Sequence, residues 1–269
     1  MRESRVLATL RNGGNASCFK INLGDPQAAE IAAICGFDCI WLDQEHQAHD
    51  WSAINSQILA AKSRNVDVMI RVPRGSYSGY VKPLELDATG ILVPHIMNFE
   101  EAKQVVQMTR FYPVGRRAID GGSADGGYTN VDFHDYLRDA NEQRFVALQI
   151  EDPEVLPDIE QIAALEGVDM LFFGPGDFSQ GIGAPGDWNH PRIQEARKLV
   201  AEVAQKYGKF AATTGGIDSL ESFLDMGYSF VNVGADVVGL STYCKSLTDR
   251  FVQASKRNNI ASSSPGKPY

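Results

Sequence analysis

Eight short apolar runs, each followed by a longer polar or helical stretch, constrain this 269-residue chain more than any other feature. The runs are SCFKIN (17–22), FDCIWLD (37–43), DVMIRV (67–72), GILVPH (90–95), RFVALQI (144–150), VDMLFF (168–173), FAAT (210–213) and FVNVG (230–234). Most are bounded by Gly, Pro or Asp, the pattern of parallel strands buried on both faces. Between them, segments such as 25–36, 98–111, 158–167 and 192–208 repeat apolar residues at helical spacing. The first is punctuated as a helix should be, with Asp25 as N-cap, Pro26 in the first turn and Gly36 as the stop. Eight such units in roughly 250 residues predict an α/β fold of the (β/α)8, or TIM-barrel, type. A doubly wound sheet is the alternative, but no GxGxxG fingerprint follows an early strand. The expected organisation is one barrel domain over 1–260 and a loose polar tail, ASSSPGKPY, over 261–269.

Charge narrows the function classes. A net charge of −9 argues against nucleic acid, whose phosphates call for a basic surface. No run reaches the roughly 18 apolar residues of a membrane span. The four cysteines show neither a CxxC pair nor zinc spacing, so free thiols and a cytoplasmic location are expected.

In a barrel the chemistry gathers where strands end. The second run ends in Asp43, Glu45 and His46, and the third carries Arg71. Asp87 precedes the fourth. The fifth leads into Gln149, Glu151 and Asp152, and the sixth into GPGD, ending in Asp177. Each residue has a plain structural reading: Asp177 as a helix cap, Glu151 as a loop acid, His46 as a structural histidine. Their convergence on one rim favours a site. Glu151 and Asp177 make an oxygen-rich pair suited to Mg²⁺ or Mn²⁺. Arg71 could clamp a carboxylate. The glycines around Asp177 could leave backbone N–H groups bare for an anion. His46, oriented by Asp87 or Asp43, could serve as a base. Together these groups describe enolisation of a 2-oxo acid.

Over residues 15 to 250 the chain resembles the HpcH/HpaI aldolases, metal-dependent class II pyruvate aldolases of the phosphoenolpyruvate/pyruvate barrel superfamily. These include 4-hydroxy-2-oxoheptanedioate aldolase and 2-dehydro-3-deoxyglucarate aldolase, enzymes of aromatic and sugar-acid catabolism. The resemblance rests on GFDCIWLDQEH, IRVP, LELDATGILVP, FYPVGRR, LQIED and GVDMLFFGPGDFSQGIGAPG, in that order. It implies retro-aldol cleavage of a 4-hydroxy-2-oxo acid to pyruvate and an aldehyde. Glu151 and Asp177 would hold Mg²⁺, Mn²⁺ or Co²⁺, and Arg71 would bind the pyruvyl group. His46 and Asp87 would form the acid–base dyad. Gln149, Gly174, Pro175 and Gly176 would line the pyruvate pocket, and a homohexamer is expected. Asp152 stands where family members more often have Thr, and His95 where they often have an apolar residue. Those departures, with His49, bear on the aldehyde end.

Three other readings stay open on the residues alone. One is a citrate-synthase-like condensing or decarboxylating enzyme acting on oxaloacetate. Another is a Schiff-base aldolase using Lys20, the only lysine on a strand candidate. The third is a binding barrel without catalysis.

Overall fold

In the structure, a computed structural model describing residues 1–257, eight parallel strands close into a barrel in sequence order. They are β1 (Ala16–Ile21), β2 (Cys39–Asp43), β3 (Asp67–Arg71), β4 (Gly90–Val93), β5 (Phe145–Ile150), β6 (Met170–Phe173), β7 (Phe210–Thr214) and β8 (Tyr228–Ala235). Every expected strand is present, with its ends moved by a residue or two; β7 and β8 are longer than expected. The expected tail, 261–269, lies outside the described residues.

The helices are α1 (Arg5–Arg11), α2 (Pro26–Ile34), α3 (Trp51–Lys62), α4 (Tyr77–Glu85), α5 (Phe99–Thr109), α6 (Phe133–Gln143), α7 (Ile159–Ala163), α8 (Pro175–Gly181), α9 (Pro191–Lys206), α10 (Leu220–Asp225) and α11 (Asp236–Arg257). Asp25 caps α2 as expected, its side chain accepting from the Gln27 N–H. The helix expected over 158–167 shrinks to α7, because a 3₁₀ turn over Pro153–Asp158, holding two prolines, leads into it.

Side chains alternate across each strand, which sorts the core into two shells. Outward residues such as Ile40, Leu42, Val68, Ile70, Val146 and Leu148 pack against the ring of helices. Inward residues, among them Cys39, Trp41, Met69, Leu92, Ala147 and Phe172, fill the barrel. α1 is an addition that the sequence pattern did not reveal, being only seven residues long. Its Val6, Leu7 and Leu10 join the interior cluster and close one end of the barrel. Asp67, at the start of β3, fastens it there: the carboxylate accepts from Ser4 Oγ at 2.7 Å and from the Val6 N–H at 2.9 Å. The other end, where strands terminate, is left to polar side chains.

Candidate active site

The same alternation that buries Trp41 and Met69 carries polar groups inward two residues later. Asp43 follows Trp41, Arg71 follows Met69, and Gln149 and Glu151 follow Phe145 and Ala147. Lys20 follows Cys18 on β1 in the same way. The site is therefore the continuation of the core pattern past the point where apolar residues stop.

Arg71 is held from two sides. Its Nε and Nη2 donate to the two oxygens of Asp43, at 3.1 and 2.6 Å. Its Nη1 lies 3.0 Å from Glu45 Oε2. Lys20 Nζ makes a second ion pair with Asp43 at 2.7 Å. The Trp41 ring underlies both cations, 4.9 Å from Lys20 Nζ and 5.2 Å from the Arg71 guanidinium carbon. Burial opposes ionisation of Asp43, but hydrogen bonds and charge from Arg71 and Lys20 outweigh it and hold the carboxyl well below the usual range. With Asp43 and Glu45 pinning three faces of the fork, N–H groups on the two terminal nitrogens remain for a ligand.

Glu151, just past the end of β5 and two strands on from Arg71, is almost wholly buried. Its Oε1 accepts from the backbone N–H of His95 at 2.9 Å, and its Oε2 from the Gln149 side-chain amide. Burial pushes its carboxyl up to about 7, aided by the charges of Asp177 and Glu45 and opposed by the His95 contacts. Gly174 makes this packing possible. A Cβ there would lie 2.7 Å from Glu151 Oε2 and 2.9 Å from Gln149 Nε2.

Asp177 lies in the first turn of α8 and does not cap it, since Gly174 holds the N-cap position and no side chain makes a cap bond. That sets aside the plain reading of Asp177. The expected row of bare N–H groups is reduced, however. Gly174 donates to the Ile150 carbonyl at 3.1 Å, and Pro175 has no N–H, leaving Gly176 alone of the three.

The expected dyad is not assembled within the chain. Asp87 precedes β4 and therefore lies at the end of the barrel closed by α1, with a left-handed φ of 68°. Its carboxylate is engaged by Arg144 and Lys62. His46 lies at the opposite rim, its backbone N–H 3.4 Å from Asp43 Oδ1 and its ring Nε2 3.6 Å from Glu45 Oε2. Glu45, rather than Asp87, is the carboxylate that faces the imidazole. His49 turns away to a structural role, its Nε2 3.0 Å from the Asn22 carbonyl.

His95 is brought in more fully than the sequence indicated. Its Nδ1 lies 3.0 Å from Asp152 Oδ2, and its Nε2 lies 3.5 Å from Glu45 Oε1. Sequence reading missed Asn232 and Thr214, which bond to each other at 3.0 Å where the end of β7 pairs with β8. The alternation Phe230–Asn232 on β8 was the available signal.

Glu45, Glu151 and Asp152 thus surround the His95 imidazole, and the charge of Asp177 reaches Glu151, while Arg71 is already shared with Asp43. The buried Gln149 Oε1 has no hydrogen-bond partner. An excess of hard oxygen donors with an orphaned amide oxygen beside them fits a divalent cation.

A family model described as HpcH/HpaI aldolase/citrate lyase matches residues 17–242. The chain belongs to that family. A hydroxypyruvate/pyruvate aldolase of Pseudomonas aeruginosa is 32% identical over 249 residues, 92% of each chain. A 4-hydroxy-2-oxovalerate aldolase of Rhodococcus jostii is 32% identical over 248 residues, covering 91% of this chain and 94% of the relative. Among solved structures, an HpcH/HpaI aldolase from Desulfitobacterium hafniense superposes with a TM-score of 0.86 at 26% identity, covering 91% of this chain and 95% of its own. A citrate synthase, SbnG, gives 0.85 at 25% identity, with 93% and 98% covered. Membership makes this chain a carbon–carbon lyase of the aldolase type. Among the described residues, no helix is long and apolar enough to cross a membrane.

Proposed function

We propose that the chain catalyses reversible retro-aldol cleavage of a 4-hydroxy-2-oxo acid to pyruvate and an aldehyde, with Arg71, His46, Glu151 and Asp177 as its working residues. The observation that carries this reading is the arginine fork, fixed by Asp43 and Glu45, at the same C-terminal mouth of the barrel as the buried Glu151, whose charge it feels. Arg71 grips the carboxylate of the 2-oxo acid through its remaining N–H groups, in a bidentate geometry that an ammonium could not supply. His46, steadied by Glu45, accepts the proton of the C4 hydroxyl. The C3–C4 bond then breaks, its electron pair passing to the pyruvyl fragment, and the aldehyde leaves. Return of a proton to C3 completes pyruvate, and the reverse sequence forms the aldol. Glu151 and Asp177 would hold Mg²⁺, Mn²⁺ or Co²⁺, which supplies positive charge where the enolate oxygen develops. Gln149 and Gly176 would border the pyruvate, and Gly174 and Pro175 would shape the turn that carries Asp177.

Lys20 suits a Schiff base poorly, because it is committed to an ion pair with Asp43. The second reading, condensation or decarboxylation starting from oxaloacetate, is favoured by the likeness to the citrate synthase and uses the same arginine clamp. We place the chain in the cytoplasm, in keeping with four cysteines that are all free. We also propose a homohexamer assembled through α11, whose Val238, Leu240, Tyr243, Leu247 and Phe251 are exposed. Light scattering of the purified chain tests the assembly.

The activity test offers pyruvate with a panel of aldehydes, and 4-hydroxy-2-oxo acids in the cleavage direction, under excess Mn²⁺. Cleavage should release pyruvate, chelation should abolish it, and Glu151→Gln should lower kcat by about 10²-fold or more. Carbon dioxide from oxaloacetate without any aldol cleavage would establish the second reading instead. Full turnover in Glu151→Gln would remove the site assignment.

A further inference from the structure

Two side chains at the barrel mouth have no part in the reaction derived above: His95 and Asp152. His95 follows Pro94 just beyond β4 with a left-handed φ of 51°, and its N–H bonds to Glu151 Oε1. That conformation brings its imidazole onto the buried carboxylate. Nδ1 is 3.0 Å from Asp152 Oδ2 and 3.6 Å from Glu151 Oε1. One ligand atom from each of His95, Glu151 and Asp152 can be chosen so that all three lie within 4.8 Å of one another. An ion with bonds of about 2.1 Å holds neighbouring donors about 3 Å apart and opposite donors about 4.2 Å apart. The three donors are therefore spaced closely enough to share one ion after small side-chain adjustments.

An independent feature points the same way. Gln149 is 3% exposed, and its Oε1 has no partner, although the same amide bonds to Glu151. An unsatisfied buried acceptor beside three converging donors is costly unless something positive comes to it.

We infer that His95 is a nitrogen ligand of the divalent cation, with Asp152 as a further oxygen donor, so that the site selects later first-row ions over Mg²⁺. The inference rests on the metal-dependent reading of Glu151 and extends it. Carboxylates alone accept Mg²⁺ readily, because its preferred donors are hard oxygens. An imidazole in the set shifts preference along the order Mn²⁺, Co²⁺, Ni²⁺. Selectivity among ions then comes from a residue outside the carboxylate pair.

The test uses the metal-stripped full chain reloaded with Mn²⁺ and examined by pulsed electron paramagnetic resonance for coupling to imidazole nitrogen. Wild type should show the coupling. His95→Gln and His95→Asn should lose it, the second variant being chosen because Asn tolerates the left-handed backbone. His46→Gln and His49→Gln should keep it. Calorimetry should show Co²⁺ binding weakened about tenfold or more in the His95 variants, with Mg²⁺ binding changed less than about threefold. Mn²⁺ bound without nitrogen coupling, or coupling that survives loss of His95, would overturn the inference and leave the carboxylate site standing. Unaltered Mn²⁺ affinity in Glu151→Gln would instead bring down the reading on which it rests.

Discussion

Asp43 organises the site without touching substrate in the mechanism proposed here. It is fully buried and carries both Arg71 and Lys20, so one acid balances two cations. Removing its charge leaves Lys20 without its ion pair and Arg71 with Glu45 alone, and Asp43→Asn should cost about 3–5 kcal/mol at pH 7. The pH dependence has a definite sign. The carboxyl is held below the usual range in the folded chain, so its contribution is complete above the unfolded value near pH 3.9 and is lost as pH falls from there toward the folded value. Urea unfolding of wild type and Asp43→Asn at pH 7 and pH 3 checks this. The gap between the two proteins should narrow at pH 3, and an equal gap at both would refute the ion-pair account. Asp43, Arg71, Glu151 and Asp177 were legible in sequence because each ends or follows an apolar run. The pairing of His46 with Glu45 was not, because the loop over 44–50, not strand register, decides which acid faces the ring.

At the scale of elements, β5 and the turn into α8 do most to shape the pocket. The run FVALQI reads as a strand, and its alternation sends Phe145, Ala147 and Gln149 inward, with Glu151 just past the end. The GPG turn after β6 must pass close over that row. Gly174 is the point of closest approach, and its Cβ would meet Glu151 and Gln149 at once. Gly174→Ala should therefore displace the carboxylate while leaving the barrel intact. The expected result is Mn²⁺ affinity lowered by about tenfold or more with a near-normal melting temperature. Calorimetry and thermal unfolding on one sample would decide it, and unchanged Mn²⁺ binding would show that the turn has room to move. Gly176, by contrast, meets nothing within 4 Å, so Gly176→Ala is the control. Sequence alone gave both glycines equal weight, since the distinction depends on what lies across the barrel.

Across the whole molecule, the two ends of the barrel divide the polar residues between them. The mouth gathers Lys20, Asp43, Arg71, His95 and Glu151, while the end closed by α1 gathers Arg2, Asp67, Asp87 and Arg144. Position relative to a strand decides membership: Asp43 ends β2, whereas Asp87 precedes β4. The family resemblance placed Asp87 beside His46, and the barrel's length separates them within one chain. Asp87 is buried and engaged by two cations, so Asp87→Asn should act on stability, lowering it by about 3–5 kcal/mol. Turnover per folded molecule and the pH profile of kcat should stay those of wild type. His46→Gln is the counterpart at the other end, with stability kept and kcat reduced by about 10²-fold or more. Both variants are to be followed by urea unfolding and by the pH dependence of pyruvate release. A shifted pH profile in Asp87→Asn, at unchanged stability, would return Asp87 to the acid–base chemistry and require that it reach His46 from another copy of the chain.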